Sequence, residues 1–314
     1  MNDSLEGSRH LSDGRRVILI AGPTASGKSA LALEIAQKLG GVIINADSMQ
    51  LYEDLRIVSA RPSIDEEALV PHRLYGILPA STPFSTGAWL RRAVDEIEAV
   101  RASGQVPVLV GGTGLYFKAL TEGFADLPEI PETVRREARN LADREGVEGL
   151  KTRLLELGDT NASRTLQDPQ RLARALEVLM ATGEPLSIWQ ENHQSRPYLA
   201  PGETTRIVLA PPRAWLHNRI EQRAQLMMGP EGITEVRKLL ERGLSTKLPA
   251  MRAIGVAEIG TYLSGENDIA ETTYRLTVAT RQYAKRQETW FRNQMPDWQR
   301  LDPSSEIDTA KLLS

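Results

Sequence analysis

The sequence predicts an α/β protein built on a parallel sheet, with a helical insertion interrupting the core. Three observations predict it. Short continuous apolar runs alternate with stretches of helical periodicity, the pattern of strands buried on both faces by crossover helices. The first apolar run leads straight into a glycine-rich loop and then a helix. Between about residues 126 and 196 the strand signal disappears.

Taken in order, residues 1–16 are polar and acidic where a signal peptide would need an apolar core, so they read as a flexible solvated tail. Val17–Ala21 is a buried strand. It runs into the loop 22–29 and a helix over 30–39, where Leu31, Ile35 and Leu39 share one face and Gly40 and Gly41 form the stop. Further strands are expected over 42–44, 106–110 and 207–210. The run at 42–44 closes on Asn45, Ala46, Asp47 and Ser48, and the run at 106–110 on Gly111, Gly112, Thr113 and Gly114. In open parallel sheets functional groups gather at the carboxyl ends of the strands, which is where the loop 22–29, Asp47 and Thr113 stand. The core is thus expected over 17–125 and 197–314, with the insertion over 126–196.

Within the insertion the clearest helix starts at Asp168 and Pro169, a capping residue followed by proline at the first helical position, and ends near Gly183. Leu172, Ala175, Leu176 and Leu179 form its buried stripe and turn Gln170, Arg171 and Arg174 outward. A last helix over about 271–294 is the most basic in the chain, with Arg281, Lys285 and Arg292 on one ridge and Arg275 and Arg286 on the next. The sequence contains neither an internal repeat nor a low-complexity segment.

Composition narrows the function classes. With 314 residues, 41% hydrophobic and 25% charged, the chain is ordinary globular protein with a sizeable core. It has no cysteine, which removes disulfides and thiolate zinc sites. No run of about 18 apolar residues is present, so no membrane span is expected and the cytoplasm is the expected location. The net charge of -3 means that any affinity for nucleic acid must come from a local patch. The four histidines, His10, His72, His193 and His217, lack metal-ligand spacing, and His72 reads as structural. Nothing requires more than a monomer.

The loop carries the first chemistry. Gly22, Pro23, Thr24, Ala25, Ser26, Gly27, Lys28 and Ser29 match G-x-x-x-x-G-K-[ST] residue for residue. Its glycines let backbone N–H groups converge on phosphate oxygens, the next helix adds its positive end, Lys28 adds a charge, and the Ser29 hydroxyl is placed to hold Mg²⁺. The motif binds a diphosphate but leaves the reaction open, since ATP-dependent kinases, ATPases and GTPases share it. A Walker-B aspartate is missing, because the strand over 106–110 closes on Gly111, Gly112 and Thr113. A guanine-specific Asn-Lys-x-Asp is missing too. Asp47 is the acidic residue at a strand end, and it reads either as a general base toward an attacking nucleophile or as a helix cap or Mg²⁺-shell carboxylate.

GPTASGKS, INADSMQLY, VLVGGTGLYFKAL, DPQRLARALEV and KRQETWFR, in this order and spacing, resemble the tRNA dimethylallyltransferase family from about residue 17 to 292. Arg61 and Pro62, Pro71 and His72, and Arg219, Ile220 and Arg223 fit the same pattern. The resemblance implies a P-loop kinase-like core with a helical insertion, forming a channel entered by dimethylallyl diphosphate at one end and a flipped base at the other. It implies Mg²⁺-dependent transfer of the dimethylallyl group to the exocyclic amine of the adenosine 3′ of the anticodon, in tRNAs reading codons that begin with U. On that basis Asp47 is the general base, Thr113 lies beside the bridging oxygen, and Lys28, the loop N–H groups, Ser29-bound Mg²⁺ and Arg223 stabilise the departing diphosphate.

The same resemblance assigns tRNA contacts to Asp47, Ser48, Met49, Gln50 and Thr113 at the flipped base. To the anticodon arm it assigns Arg135, Gln170, Arg171, Arg252, Lys285, Arg286, Gln287 and Arg292, with Trp290 and Phe291 interleaved among the basic residues. One departure stands out: after Gly255 the family often carries an aromatic then a basic residue, whereas this chain has Val256 and Ala257. The alternatives are an ATP-dependent small-molecule kinase and an RNA-binding module with a vestigial loop.

Overall fold

The computed structural model describes residues 16–125, 127–193 and 195–313, so residues 1–15 of the expected tail lie outside the described residues. The chain divides into two units, one comprising residues up to Thr121 and from Tyr198 onward, the other Glu122–Pro197.

The first unit contains a six-stranded sheet, β1 (Val17–Ala21), β2 (Val42–Asn45), β3 (His72–Arg73), β4 (Pro107–Gly111), β5 (Thr204–Leu209) and β6 (Gln299–Leu301), in the order β3-β2-β4-β1-β5-β6. Every pairing is parallel. The three central strands β1, β2 and β4 are buried at every residue, which is why their sequences are unbroken apolar runs rather than alternations. The edges β3 and β6 are short and polar, and no periodicity announces them. Covering helices are α1 (Lys28–Leu39), α2 (Ile64–Leu69), α3 (Thr86–Ala102) and α4 (Gly114–Glu122).

The second unit is helical: α5 (Glu132–Glu156), α6 (Thr160–Thr165), α7 (Pro169–Thr182) and α8 (Leu186–Asn192). Asp168 caps α7 by accepting from Arg171 N at 2.9 Å, and Gly183 ends it at φ 75°. Leu172, Ala175, Leu176 and Leu179 pack with Leu150 and Leu154 of α5 into this unit's core, while Gln170 and Arg171 are exposed. Arg174 is half-buried and pairs with Glu177 at 2.8 Å.

Back in the first unit follow α9 (Arg213–Met227), α10 (Pro230–Glu241), α11 (Val256–Leu263), α12 (Ile269–Gln294) and α13 (Thr309–Leu313). No helix among the described residues is long and apolar enough to cross a membrane.

Candidate active site

The carboxyl ends of β1, β2 and β4 build the site. After β1 the loop turns through Ala25 (φ 63°) and Gly27 (φ 85°), left-handed conformations that curl successive N–H groups toward one point. The Lys28 side chain is 9% exposed and donates to Pro23 O at 3.3 Å, folding the ammonium back over the loop. Burial pushes its pKa from 10.5 down to about 8; Asp47 opposes that fall and Arg223 adds to it.

Asp47 is set by Asn45, a buried residue at the end of β2. Trp89, fully buried on α3 and stacked on Tyr116 at 4.1 Å, donates its indole N–H to Asn45 O at 3.0 Å. The Asn45 amide then accepts from Asp47 N at 2.8 Å and donates to Asp47 O at 2.9 Å and Leu74 O at 3.0 Å. Asp47 Oδ1 accepts from Met49 N at 3.0 Å, so the turn itself occupies one carboxylate oxygen. The other, Oδ2, faces Gly112, where an added Cβ would sit 3.1 Å from it.

Glycine at 111 makes this approach feasible, because a side chain there would collide with the Ala46 backbone. The two loops lie so close that Thr113 N donates to Ala46 O at 3.2 Å. Thr113 Oγ1 accepts from Ser48 N at 3.0 Å and donates to Ser48 Oγ at 3.3 Å. Its hydroxyl is therefore committed to the Asp47 turn.

Helix α9 closes the site over the loop. Arg223 donates from Nη1 to Thr24 Oγ1 and from Nη2 to Val58 O at 2.8 Å, and burial lowers its pKa from the ordinary value while Asp47 holds it up. Arg219 donates to Ala25 O at 3.0 Å and lies over the Trp215 ring at 4.8 Å. Val58 is itself held by Glu235 of α10, whose carboxylate accepts from Arg56 N, Ile57 N and Val58 N at 2.8, 2.8 and 2.9 Å.

A cavity of about 340 Å³ results, within the usual range for small-molecule sites. Its lining combines the cationic and polar residues Thr24, Lys28, Arg223 and Asp47 with the apolar residues Met49, Val58, Met227, Ala253 and Ile254. Ser48, Gln50, Arg252, Tyr283 and Arg286 complete the wall. Burial first, and Asp47 second, raise the Tyr283 phenol above its ordinary pKa, so it stays neutral beside the carboxylate.

The expected residues do not all meet here. Ser29 is exposed and lines a separate small recess with Glu66, His72 and Tyr75, though its hydroxyl has no partner among the described residues. Arg292 is exposed beside Pro23, Glu288 and Arg300, in a recess distinct from the main cavity. Lys285 is exposed on α12, and Arg135, Gln170 and Arg171 belong to the second unit.

Gln287 requires a correction: the resemblance assigns it to the tRNA contacts, but it is 6% exposed and both ends of its amide are bonded internally. Phe291 is likewise core at 1% exposure, and Trp290 fills the space at Gly114, where a Cβ would strike its ring. Both aromatics serve the apolar face of α12, the core role that their residue type favours over contact with RNA. Gln50 is buried, lines the cavity, and donates from its amide nitrogen to Ser59 O at 3.0 Å and Ala60 O at 2.8 Å.

The family model of IPP transferases matches residues 50–294. A tRNA dimethylallyltransferase of Rhizobium etli is 52% identical over 91% of this chain and 97% of its own length, and one of a Bradyrhizobium strain is 48% identical over 96% and 98%. Among solved structures, a tRNA isopentenylpyrophosphate transferase of Bacillus halodurans superposes with a TM-score of 0.65 at 32% identity, covering 95% of this chain and 93% of that one. A eukaryotic dimethylallyltransferase solved acting on tRNA gives a TM-score of 0.78 at 25% identity, covering 94% of this chain and 75% of that one. With these likenesses spanning loop, sheet, insertion and basic helix together, the chain belongs to the IPP transferase family.

Proposed function

We propose that the protein transfers the dimethylallyl group from dimethylallyl diphosphate to the N6 amine of the adenosine 3′-adjacent to the anticodon, in tRNAs reading codons that begin with U, and releases diphosphate. The observation that carries the reading is the mixed lining of one cavity: Lys28 and Arg223 beside the loop, apolar side chains such as Met227 and Ile254, and a single carboxylate, Asp47. A prenyl diphosphate has the same two-part chemistry.

Breaking the allylic C–O bond builds charge on the departing diphosphate, and the loop N–H groups, Lys28 and Arg223 stabilise it where it develops. The exocyclic amine loses a proton as it attacks carbon, and Asp47 Oδ2, the oxygen not used by the turn, accepts it. Thr113 acts through Ser48 in holding that turn, with its hydroxyl turned to the leaving oxygen only if the Ser48 bond is exchanged. The Ser29 hydroxyl, a hard oxygen donor with no partner among the described residues, is the loop group that would hold Mg²⁺, although it opens on the recess with Glu66 and not on the main cavity. When bound, the cation would neutralise part of the leaving-group charge.

On the RNA side, the Asp47 to Gln50 segment would read the flipped base, with Thr113 behind it. Arg252, Lys285, Arg286 and Arg292, with Arg135, Gln170 and Arg171 of the insertion, would meet the anticodon stem-loop through its backbone. Monomeric action in the cytoplasm belongs to the same proposal. ATP-dependent phosphoryl transfer, the alternative use of the loop, has no observation in its favour.

The test is incubation of the protein with Mg²⁺, dimethylallyl diphosphate and unmodified tRNA, followed by nucleoside digestion and mass measurement. Isopentenyladenosine is expected. Its absence with folded protein, or a phosphorylated product formed from ATP instead, contradicts the proposal.

A further inference from the structure

Exposed Lys285 and Arg286 on α12 are followed by Gln287, which turns into the core of the first unit at 6% exposure. Its carboxamide is used at both ends, Oε1 accepting from Thr24 N at 2.8 Å and Nε2 donating to Gly112 O at 2.9 Å. Thr24 belongs to the diphosphate loop after β1. Gly112 belongs to the loop after β4, which carries Thr113 and lies against Asp47 Oδ2. The β1–β4 ladder ends at Ala21 and Gly111, and among the described residues no backbone hydrogen bond joins the two loops beyond it. Among the described residues the Gln287 amide is hydrogen-bonded to both loops.

We propose that Gln287 is a positioning residue that sets the separation between the diphosphate cradle and the proton acceptor Asp47. The proposal rests on the prenyl-transfer reading above. An amide is the group that fits, because one end must accept from an N–H and the other must donate to a carbonyl across a fixed planar span. In the transfer the reacting carbon is tethered through its diphosphate to the Thr24 side, while the amine is deprotonated on the Gly112 side. A relative displacement of about 1 Å between them is enough to cost about 10²-fold in rate. Both ends of the Gln287 amide are taken up within the protein, so it acts on the reaction through the two loops.

The experiment compares the full-length wild type with Gln287→Met, which keeps the length and loses both bonds, and Gln287→Glu, which keeps the acceptor for Thr24 and loses the donor to Gly112. Thermal melting establishes that each is folded, and the Glu variant carries the test if the Met variant is not. For each protein kcat is measured with dimethylallyl diphosphate and unmodified anticodon stem-loop RNA, the RNA Kd by anisotropy, and the Kd for inorganic diphosphate by calorimetry. The expected result is a kcat about 10²-fold lower in both variants, RNA Kd within about twofold, and diphosphate Kd in the Glu variant within about threefold. Full kcat in the folded variants, or a loss confined to RNA affinity, overturns the positioning role while leaving prenyl transfer intact. A wild type that binds diphosphate yet makes no prenylated adenosine overturns the transfer reading and this one with it.

Discussion

Replacing Lys28 by Met should make the free protein more stable while removing its hold on diphosphate. Among the described residues the buried ammonium has no carboxylate partner within ion-pair distance, and its hydrogen bond is the 3.3 Å donation to Pro23 O. Burial lowers its pKa from 10.5 to about 8. At about 1.36 kcal/mol per pH unit, keeping this lysine charged in the fold costs roughly 3 kcal/mol relative to the unfolded chain.

The sign follows from proton binding. Between pH 8 and 10.5 the unfolded chain holds the proton and the fold does not, so the wild type gains stability as pH rises through that window. Below about pH 8 the full cost is present. Methionine removes it and forfeits one hydrogen bond of about 1 kcal/mol, a net gain of about 2 kcal/mol at pH 7. Unfolding by urea at pH 7 and pH 10 measures this. The difference between variant and wild type should be about 2 kcal/mol at pH 7 and mostly gone at pH 10. Equal stability at pH 7, or a gain independent of pH, would refute the reasoning. Diphosphate should then stabilise the wild type and leave the variant unchanged.

Three further outcomes are expected. Asp47→Asn should lower kcat by at least about 10²-fold with RNA affinity kept, and equal losses in both would make Asp47 chiefly a binding residue. Glu235→Ala strips three backbone N–H groups of their acceptor, so it should destabilise the fold by about 3 kcal/mol in denaturant unfolding. Met227→Ala, in the apolar lining, should raise the rate with geranyl diphosphate relative to dimethylallyl diphosphate about tenfold or more, whereas unchanged selectivity would place the prenyl tail elsewhere.

The central strands are readable in the sequence because burial on both faces demands unbroken apolar runs: Val17–Ala21 is the strand that its residues predict, end to end. His72–Arg73 and Gln299–Leu301 are not readable, since a short edge strand is defined by a neighbour's hydrogen bonds and carries no pattern of its own. The loop and Asp47 stand out as motifs with a mechanism. Asn45, Tyr283, Glu235 and the true station of Gln287 do not. Asn45 and Glu235 act by taking backbone groups from their surroundings, and Gln287 does so across 263 and 175 residues. Such partners exist only after folding. The INADSMQLY segment does hold Asn45 two residues before Asp47, and an Asx-type turn there is the available signal. Gln287 escapes a reading by pattern because helical spacing next to Lys285 and Arg286 cannot distinguish the polar face from a polar residue buried among loops.

If the loop grips a leaving group, bond breaking occurs at carbon and no phosphoryl group moves. The most direct measurement of this uses dimethylallyl diphosphate carrying ¹⁸O at the oxygen bridging carbon and phosphorus, with unmodified tRNA as acceptor. Mass measurement of both products should find the whole label in the released diphosphate and none in the tRNA. Label carried into the RNA product, or a phosphoryl group transferred to the acceptor, would contradict cleavage at carbon.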